Sequence, residues 1–227
     1  MSDPTYAGTE PLTINGNGHT LDCNDARRLL DSTSLALLTI DDLTLTKGLG
    51  FGGSGGGAIQ GEGAAAVTYS TFTGNDNLGG NQGTAILSLT SITLFGSVLV
   101  RPNSGWGLCS GAATSLGYND ANEDAPGSCN LTAPGDNASN RNDPLLGPLA
   151  NNGGPTPTRL PQSGSPLIDA IPNASCGDGN TLAGFAVTTD QRGLARPEQT
   201  GGRCDIGAVE VQLPAAAPIE VVIRFTG

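Results

Sequence analysis

Two adjacent carboxylates, Asp41-Asp42, are the residues of this chain that come closest to a catalytic pair. Glycoside hydrolysis needs two carboxyl groups roughly 5–10 Å apart across the bond that breaks. Neighbouring residues of one strand point to opposite faces, so this pair converges only at a turn. The segments that align with it carry Thr68-Tyr69 and Thr90-Ser91, so no stacked carboxylate is expected beside it. We therefore predict no catalytic residues and a protein that is not an enzyme.

The other residues of the chain that could take part in a reaction also argue against catalysis. A polysaccharide lyase needs a base and cationic groups around an acidic substrate, and a catalytic triad needs a histidine. The chain has ten Lys and Arg residues in total and one histidine, His19, within a Gly/Asn-rich turn. The run Gly48–Gly53 matches the GxGxxG pattern, but more glycine follows it instead of the helix that a dinucleotide site requires. A polysaccharide lyase or glycosidase is the least favoured of the functions considered.

Two binding sites are candidates. Oxygen ligands suit Ca²⁺, and four such residues cluster between two cysteines: Asp120, Asn122, Glu123 and Asp124. Their spacing is not that of an EF-hand, and a solvated acidic loop is the alternative. No other cofactor is predicted. A sugar-binding platform needs exposed aromatic rings, for which Tyr69 and Trp106 are the candidates.

Composition and charge limit the classes of partner that the protein can be expected to bind. The net charge is −11, and no cluster of Lys and Arg exists beyond Arg27-Arg28, so nucleic acid and anionic membrane surfaces are excluded as partners. No run approaches the roughly 20 apolar residues of a membrane span. No signal peptide is visible in the sequence. If the protein is exported, we expect that its export segment has already been removed from this chain.

Five cysteines without a CxxC pair point to disulfides rather than zinc. We predict the pairs Cys109 with Cys129 and Cys176 with Cys204. Cys23 is left over, either buried or paired between molecules. Disulfides favour an extracellular or cell-surface location.

A repeat gives the fold class. The segments 40–45, 67–72 and 89–94 each place apolar residues five positions apart, with spacings of 27 and then 22 residues, and Leu12–Leu21 forms an earlier copy. A period in the low twenties is typical of a parallel β-helix, in which each coil stacks on the next. We predict an all-β solenoid of about four coils, and interpret Gly48–Gly57 as a loop inserted between two of them.

The rest of the chain divides by composition. Residues 1–104 are assigned to the coils, and 105–144 to a disulfide-clipped loop region rich in Gly, Asn and Asp. Residues 145–212 are predicted to form a Pro-rich cap over the last coil, within the same domain, held in part by an Asp190–Arg192 pair. Residues 213–227 hold a Pro/Ala spacer and a terminal strand whose apolar residues could mediate self-association: Ile219, Val221, Val222, Ile223 and Phe225.

The motifs also resemble a known group. Leu12–Asp22 and Ser70–Asn75 are similar to bacterial secreted right-handed parallel β-helix proteins, and the second half resembles the choice-of-anchor Q region. The pieces that carry the second resemblance are 143–149, 152–157, 164–170, 190–197 and 204–210. The resemblance implies a right-handed solenoid and a secreted or surface location, and supplies no catalytic residues. Unlike the family pattern, no membrane anchor or sorting signal follows Glu210.

These expectations favour a non-catalytic extracellular structural module. Its terminal strand could join copies head to tail into a surface filament, since open head-to-tail contacts generate fibres. A cell-surface adhesin or carbohydrate-binding module is the alternative. The expected partner is therefore another copy of the chain or a surface glycan.

Overall fold

The computed structural model describes residues 3–51, 55–78, 83–101, 107–123, 128–137, 143–176 and 187–212. These residues form short strands and a single 3₁₀ turn. The elements, in chain order, are β1 (Thr5–Tyr6), β2 (Leu12–Asn15), β3 (Thr20–Asp22), β4 (Leu30–Ser32), β5 (Leu38–Asp41), β6 (Thr44–Thr46), β7 (Leu49–Phe51), β8 (Ile59–Gly61), β9 (Ala65–Thr68), β10 (Thr71–Thr73), β11 (Asp76–Leu78), β12 (Ile86–Phe95), β13 (Val98–Val100), β14 (Cys109–Ser115), β15 (Asp120–Ala121) and the 3₁₀ turn Asn173–Ser175.

The strands stack in parallel as a β-solenoid. One sheet has the order β1-β4-β8-β12-β9-β5-β2 with β14 added beside β12, a second has the order β15-β13-β10-β6-β3, and β7 pairs with β11. The solenoid has about three complete turns. The predicted all-β parallel solenoid is confirmed, with a coil count close to the expected four.

The register of the stack is more regular than the sequence repeat indicated. Ile40 pairs with Val67, as predicted, and Val67 then pairs with Leu94. The spacing is therefore 27 residues in both steps, and the aligned segment 89–94 is displaced by five residues from the true copy, 94–99. The run Gly48–Gly57 is correspondingly not an insertion between coils, because it contains β7, which pairs with β11 one coil later.

The solenoid core follows from this register. Strands of successive coils direct apolar residues inward, and these residues form columns such as Leu45, Phe72 and Leu99, all almost completely buried. Neighbouring coils lie about 4.8 Å apart, so each side chain packs on its equivalent above and below. Chain turns between strands use the left-handed region, as at Asp42, Tyr69 and Gly96 with φ of 52°, 39° and 55°.

Residues 107–123 continue the solenoid. They were predicted to contain few strands, but β14 pairs with β12 and β15 pairs with β13. The predicted disulfide Cys109–Cys129 is present, and Cys129 and Leu131 are buried in the solenoid core. These two residues therefore cover the last coil.

The tail, residues 143–176 and 187–212, packs along the side of the solenoid. It was expected to cap the last coil, but it contacts the first coil at Thr20, whose hydroxyl donates to the Pro157 carbonyl, and a late coil at Gly96, whose carbonyl accepts from Gly207 N–H. The predicted disulfide Cys176–Cys204 lies within it. The core of the last coil is covered by Cys129 and Leu131, which follow β15, and not by the tail.

A second apolar cluster joins the tail to the coils. Tyr69, Phe95 and Val98 of the solenoid pack with tail residues that include Leu167, Ile171 and Ile206. The Tyr69 and Phe95 rings meet edge to face with centroids 5.6 Å apart. In the part of the chain that the structure describes, no helix has the length and apolarity needed to cross a membrane.

Candidate functional site

The candidate site, here called the acidic corner, is the buried cluster formed by Asp41, Asp42, Asp190, Arg196 and Glu210. Asp41 ends β5, and Asp42 turns the chain toward β6 with a φ of 52°. The preceding coil approaches closely here, since a Cβ on Gly16 would lie 1.7 Å from the Asp42 carbonyl oxygen. Glycine at 16 therefore allows the first two coils to meet at the corner.

Asp41 is held by neighbouring coils. Its Oδ1 accepts a hydrogen bond from the Thr68 hydroxyl, and its Oδ2 accepts one from Asn15 Nδ2 at 3.3 Å. Burial raises the pKa of the Asp41 carboxyl, and the Thr68 hydrogen bond and the Arg196 charge only partly oppose this rise. The two oxygens of Asp41 therefore link three successive coils by hydrogen bonds.

Asp42 is the more perturbed carboxyl. Burial raises its pKa to about 8, the Arg196 charge lowers it, and the Asp41 and Asp190 charges add to the rise. Its Oδ1 lies 3.9 Å from Arg196 Nη2 and has no hydrogen-bond partner among the described residues. Burial therefore favours the protonated form of Asp42 up to a higher pH than for an ordinary aspartate.

Arg196 is the central cation of the acidic corner. Its Nη1 donates to the Asp205 carbonyl and its Nη2 to the Gly207 carbonyl, both at 2.8 Å, and Nη1 lies 3.5 Å from Glu210 Oε2. The guanidinium carbon also lies 4.4 Å from the centre of the Tyr69 ring. The side chain is completely buried between the tail and the solenoid, a position in which a cation needs such partners.

Glu210 and Asp205 supply the other side of this network. Glu210 Oε2 accepts from Asp205 N–H at 2.9 Å, and Asp205 accepts from the N–H groups of Asp169 and Val211. Burial raises the pKa of Glu210 to about 8 and that of Asp205 to about 6. Their hydrogen bonds are to backbone donors of the tail, so these carboxyls fix its loops.

The predicted Asp190–Arg192 pair is present and extends the network. Arg192 Nη2 lies 2.7 Å from Asp190 Oδ2, and Asp190 also accepts from Glu210 N–H. Beside it, Gln191 Oε1 accepts from Thr44 Oγ1 at 2.6 Å, and its Nε2 donates to the His19 carbonyl at 2.9 Å. One tail segment, 190–192, thus binds two coils at once.

A cleft of about 280 Å³ opens beside the acidic corner. Asn15, Asp41, Asp42, Asp190 and Gln191 are among the residues that line it. A protonated carboxyl beside a second carboxyl is chemically able to act as a general acid. However, the Asp42 side chain is only 8% exposed, and the oxygens of Asp41 and Asp190 already accept structural hydrogen bonds.

The candidate calcium ligands point to separate structural partners. Asp120 accepts from Asn137 Nδ2, Asn122 accepts from Arg101 N–H, and Glu123 accepts from Leu108 N–H and Ser128. Asp124 lies outside the described residues. Among the residues that the structure describes, no group of three or more His, Cys, Asp or Glu side chains could hold a metal ion.

The candidate sugar platform at Tyr69 is wrong. The Tyr69 side chain is buried under Arg196 and against Phe95, because the tail covers this corner of the solenoid. Trp106 lies outside the described residues. So does the predicted self-association strand 219–225.

Sequence reasoning missed most of the acidic corner. It tested Asp41-Asp42 only against the aligned positions of other coils, Thr68-Tyr69 and Thr90-Ser91. The structure places Thr68 and then Phe95 in register with Asp41, again without a carboxylate. The additional charges come from Asp190, Arg196 and Glu210, which lie about 150 or more residues later in the chain. The available signal was the concentration of Arg and Asp in 190–205 of a chain with few cations.

Comparisons of the chain with protein-family models, with curated proteins and with solved structures give no match. The resemblance of the tail to the choice-of-anchor Q region and the right hand of the coil therefore stay predictions. The site itself belongs to a parallel β-solenoid whose tail packs along its side.

Proposed function

We propose that this protein is a non-catalytic structural module of the cell exterior, in which the acidic corner fastens the tail to the solenoid. The observation that carries the proposal is the position of Arg196. Its side chain is completely buried, donates to two carbonyls of the tail, and meets the solenoid at the Tyr69 ring and at Asp42. Asp41 and Asp190, whose oxygens already accept structural hydrogen bonds, are poor candidates for turning over a substrate.

The covalent and electrostatic features support an extracellular location. Two disulfides persist most readily in oxidising compartments. A net charge of −11 favours solubility and resists nonspecific association. A rod of stacked coils with one covered end and a fastened tail is suited to a mechanical or spacing role on a surface.

Assembly into a filament is the second candidate. The first coil favours it, because Leu12, Ile14 and Leu21 face the core but are only partly buried, and a strand from another copy could cover them. An adhesin that binds surface glycans is the third candidate. With Tyr69 buried, it would depend on Trp106 or on polar residues.

A turnover assay separates the structural proposal from catalysis. The full chain is incubated with a panel of neutral and acidic polysaccharides, alongside Asp42→Asn and the exposed control Asp25→Asn. We expect no turnover by any of the three. Turnover that Asp42→Asn abolishes and Asp25→Asn preserves would contradict the proposal and make the cleft an active site.

Electron microscopy tests the filament candidate. Full-length protein is imaged beside a variant that ends at Gln212. Fibres formed by the full chain alone would establish assembly through the last 15 residues. Single particles in both samples would exclude that route and leave an unassembled structural module.

A further inference from the structure

The two ends of the solenoid are covered differently. At the last coil, Cys129 and Leu131 close the core. At the first coil, four inward-facing side chains are only partly buried and are here called the first rung: Leu12, Ile14, Leu21 and Cys23. Their stacked neighbours one coil later, Leu38, Ile40 and Leu45, are 4%, 0% and 1% exposed. The first rung therefore lacks a covering layer among the described residues.

The backbone at this end is also open. Within the described residues, β2 pairs only with β5, and β3 pairs only with β6. An outer strand of a sheet presents N–H and C=O groups that another strand can bond. The first rung thus offers both an apolar face and a hydrogen-bonding edge to one added strand.

The course of the tail shows which segment is nearest. Gly207 N–H donates to the Gly96 carbonyl before β13, and Ala208 N–H donates to Thr71 in β10. Glu210 N–H donates to Asp190, which shares the cleft with Asp41 at the end of β5. Gly96 and Thr71 belong to successive coils, so residues 207 and 208 run toward the first coil. The Glu210 carbonyl then accepts a hydrogen bond from Arg192, next to Gln191, whose side chain bonds the first coil at the His19 carbonyl.

The remaining sequence fits that destination. Six residues, 213–218, follow Gln212 and can span at most about 20 Å, roughly four coil spacings. The next seven residues alternate, with Ile219, Val221, Ile223 and Phe225 on one side of an extended chain. A short tether also gives an effective concentration on the order of millimolar, which favours the same chain over a second copy.

We propose that the segment 219–225 binds the first rung of its own chain as an added strand. Its apolar side covers Leu12, Ile14, Leu21 and Cys23, and its backbone bonds the open edge of β2 or β3. This inference stands independently of the proposed function, because it concerns only how the core is closed. The same segment supplied by a second copy would produce oligomers instead.

The reaction rate of the Cys23 thiol measures whether the first rung is covered. Cys23 belongs to the first rung, and the other four cysteines are bonded in pairs, so it is the free thiol with which a reagent can react. Its rate of reaction with a small disulfide reagent is measured in the full chain, in Ile223→Asp and in a chain ending at Gln212. Removal or disruption of the strand should accelerate the reaction at least about tenfold, since a covered group reacts only when the cover opens.

A matched variant controls for the change in net charge that Ile223→Asp introduces. Arg224→Gln alters the opposite side of the segment and should leave the rate as in the unmodified chain. Far-ultraviolet circular dichroism verifies that each variant keeps its β structure, and Ile223→Asp carries the test if the shortened chain does not fold. Equal rates in the full chain and in a folded Ile223→Asp variant would overturn the proposal.

Cross-linking distinguishes the same chain from a second copy. Cysteine is introduced in turn as Val221→Cys, Ile223→Cys and Phe225→Cys, and the protein is oxidised at low concentration. We expect at least one variant to form a disulfide with Cys23 within a monomer, identified by peptide mapping and light scattering. Covalent dimers or ladders, or no cross-link in any variant, would overturn the proposal.

Discussion

Replacing Arg196 by methionine should unfasten the tail from the solenoid. Methionine retains an apolar side chain of similar length for packing on Tyr69, but it removes the charge and every hydrogen-bond donor. The carbonyls of Asp205 and Gly207 would each lose a buried donor, and each such loss costs about 1–3 kcal/mol. Asp42 and Glu210 would lose their nearest cation.

The two carbonyl losses together should lower the free energy of unfolding by about 2–6 kcal/mol. The assay is equilibrium unfolding in urea, followed by circular dichroism at pH 7. Arg203→Met is the matched control, since Arg203 is exposed and also bonds carbonyls, those of Asp169 and Ala170. Its cost should stay below about 1 kcal/mol. An Arg196→Met variant as stable as Arg203→Met would refute the proposed role of the acidic corner.

Three further outcomes are expected. The contribution of Asp42 and Glu210 to stability should be fully present below about pH 4 and lost as pH rises through their pKa values of about 8, because the folded chain holds protons that the unfolded chain releases. In urea unfolding between pH 5 and 9, the free energy of unfolding should therefore decline less steeply with pH for Asp42→Asn than for the control Asp25→Asn. Equal slopes for the two variants would contradict the assignment of the raised pKa to Asp42. Replacing Cys109 and Cys129 together by alanine should cost about 3 kcal/mol, since the bond joins residues 20 positions apart, and thermal unfolding that is unchanged by the replacement would argue against this. Leu94→Ala should cost about 2–5 kcal/mol because Leu94 is 0% exposed, whereas Leu89→Ala should change stability by less than about 0.5 kcal/mol because Leu89 is 72% exposed; the reverse order in urea unfolding would reinstate the register with 22-residue spacing.

The fold class and both disulfides were predictable because they depend on local signals. Apolar residues five apart, separated by Thr and Ser, identified the pairs Ile40 with Val67 and Leu45 with Phe72. The register failed at the third copy because Leu89 and Leu94 have the same five-residue spacing as Leu94 and Leu99. Burial separates these alternatives in the structure, since Leu89 is exposed and Leu99 is not.

The acidic corner was not predictable from periodicity. Repeat analysis compares a residue with its equivalents in other coils, and for Asp41 those are Asn15 and Thr68. Apart from Asp41, the charges that perturb Asp42, those of Arg196 and Asp190, belong to the tail, which follows no repeat and runs back along the solenoid. Their arrival at Asp42 depends on packing between residues such as Ile206 and Phe95, and no spacing within the chain encodes that distance.

Native-state hydrogen exchange tests most directly whether the acidic corner fastens the tail. It is measured by mass spectrometry on the full chain, on Arg196→Met and on Arg203→Met. We predict slow exchange of 187–212 in the full chain and in Arg203→Met, and faster exchange of this segment in Arg196→Met, while β9 and β10 keep their protection. Rapid exchange of 187–212 in the full chain, or unchanged protection in Arg196→Met, would contradict the account.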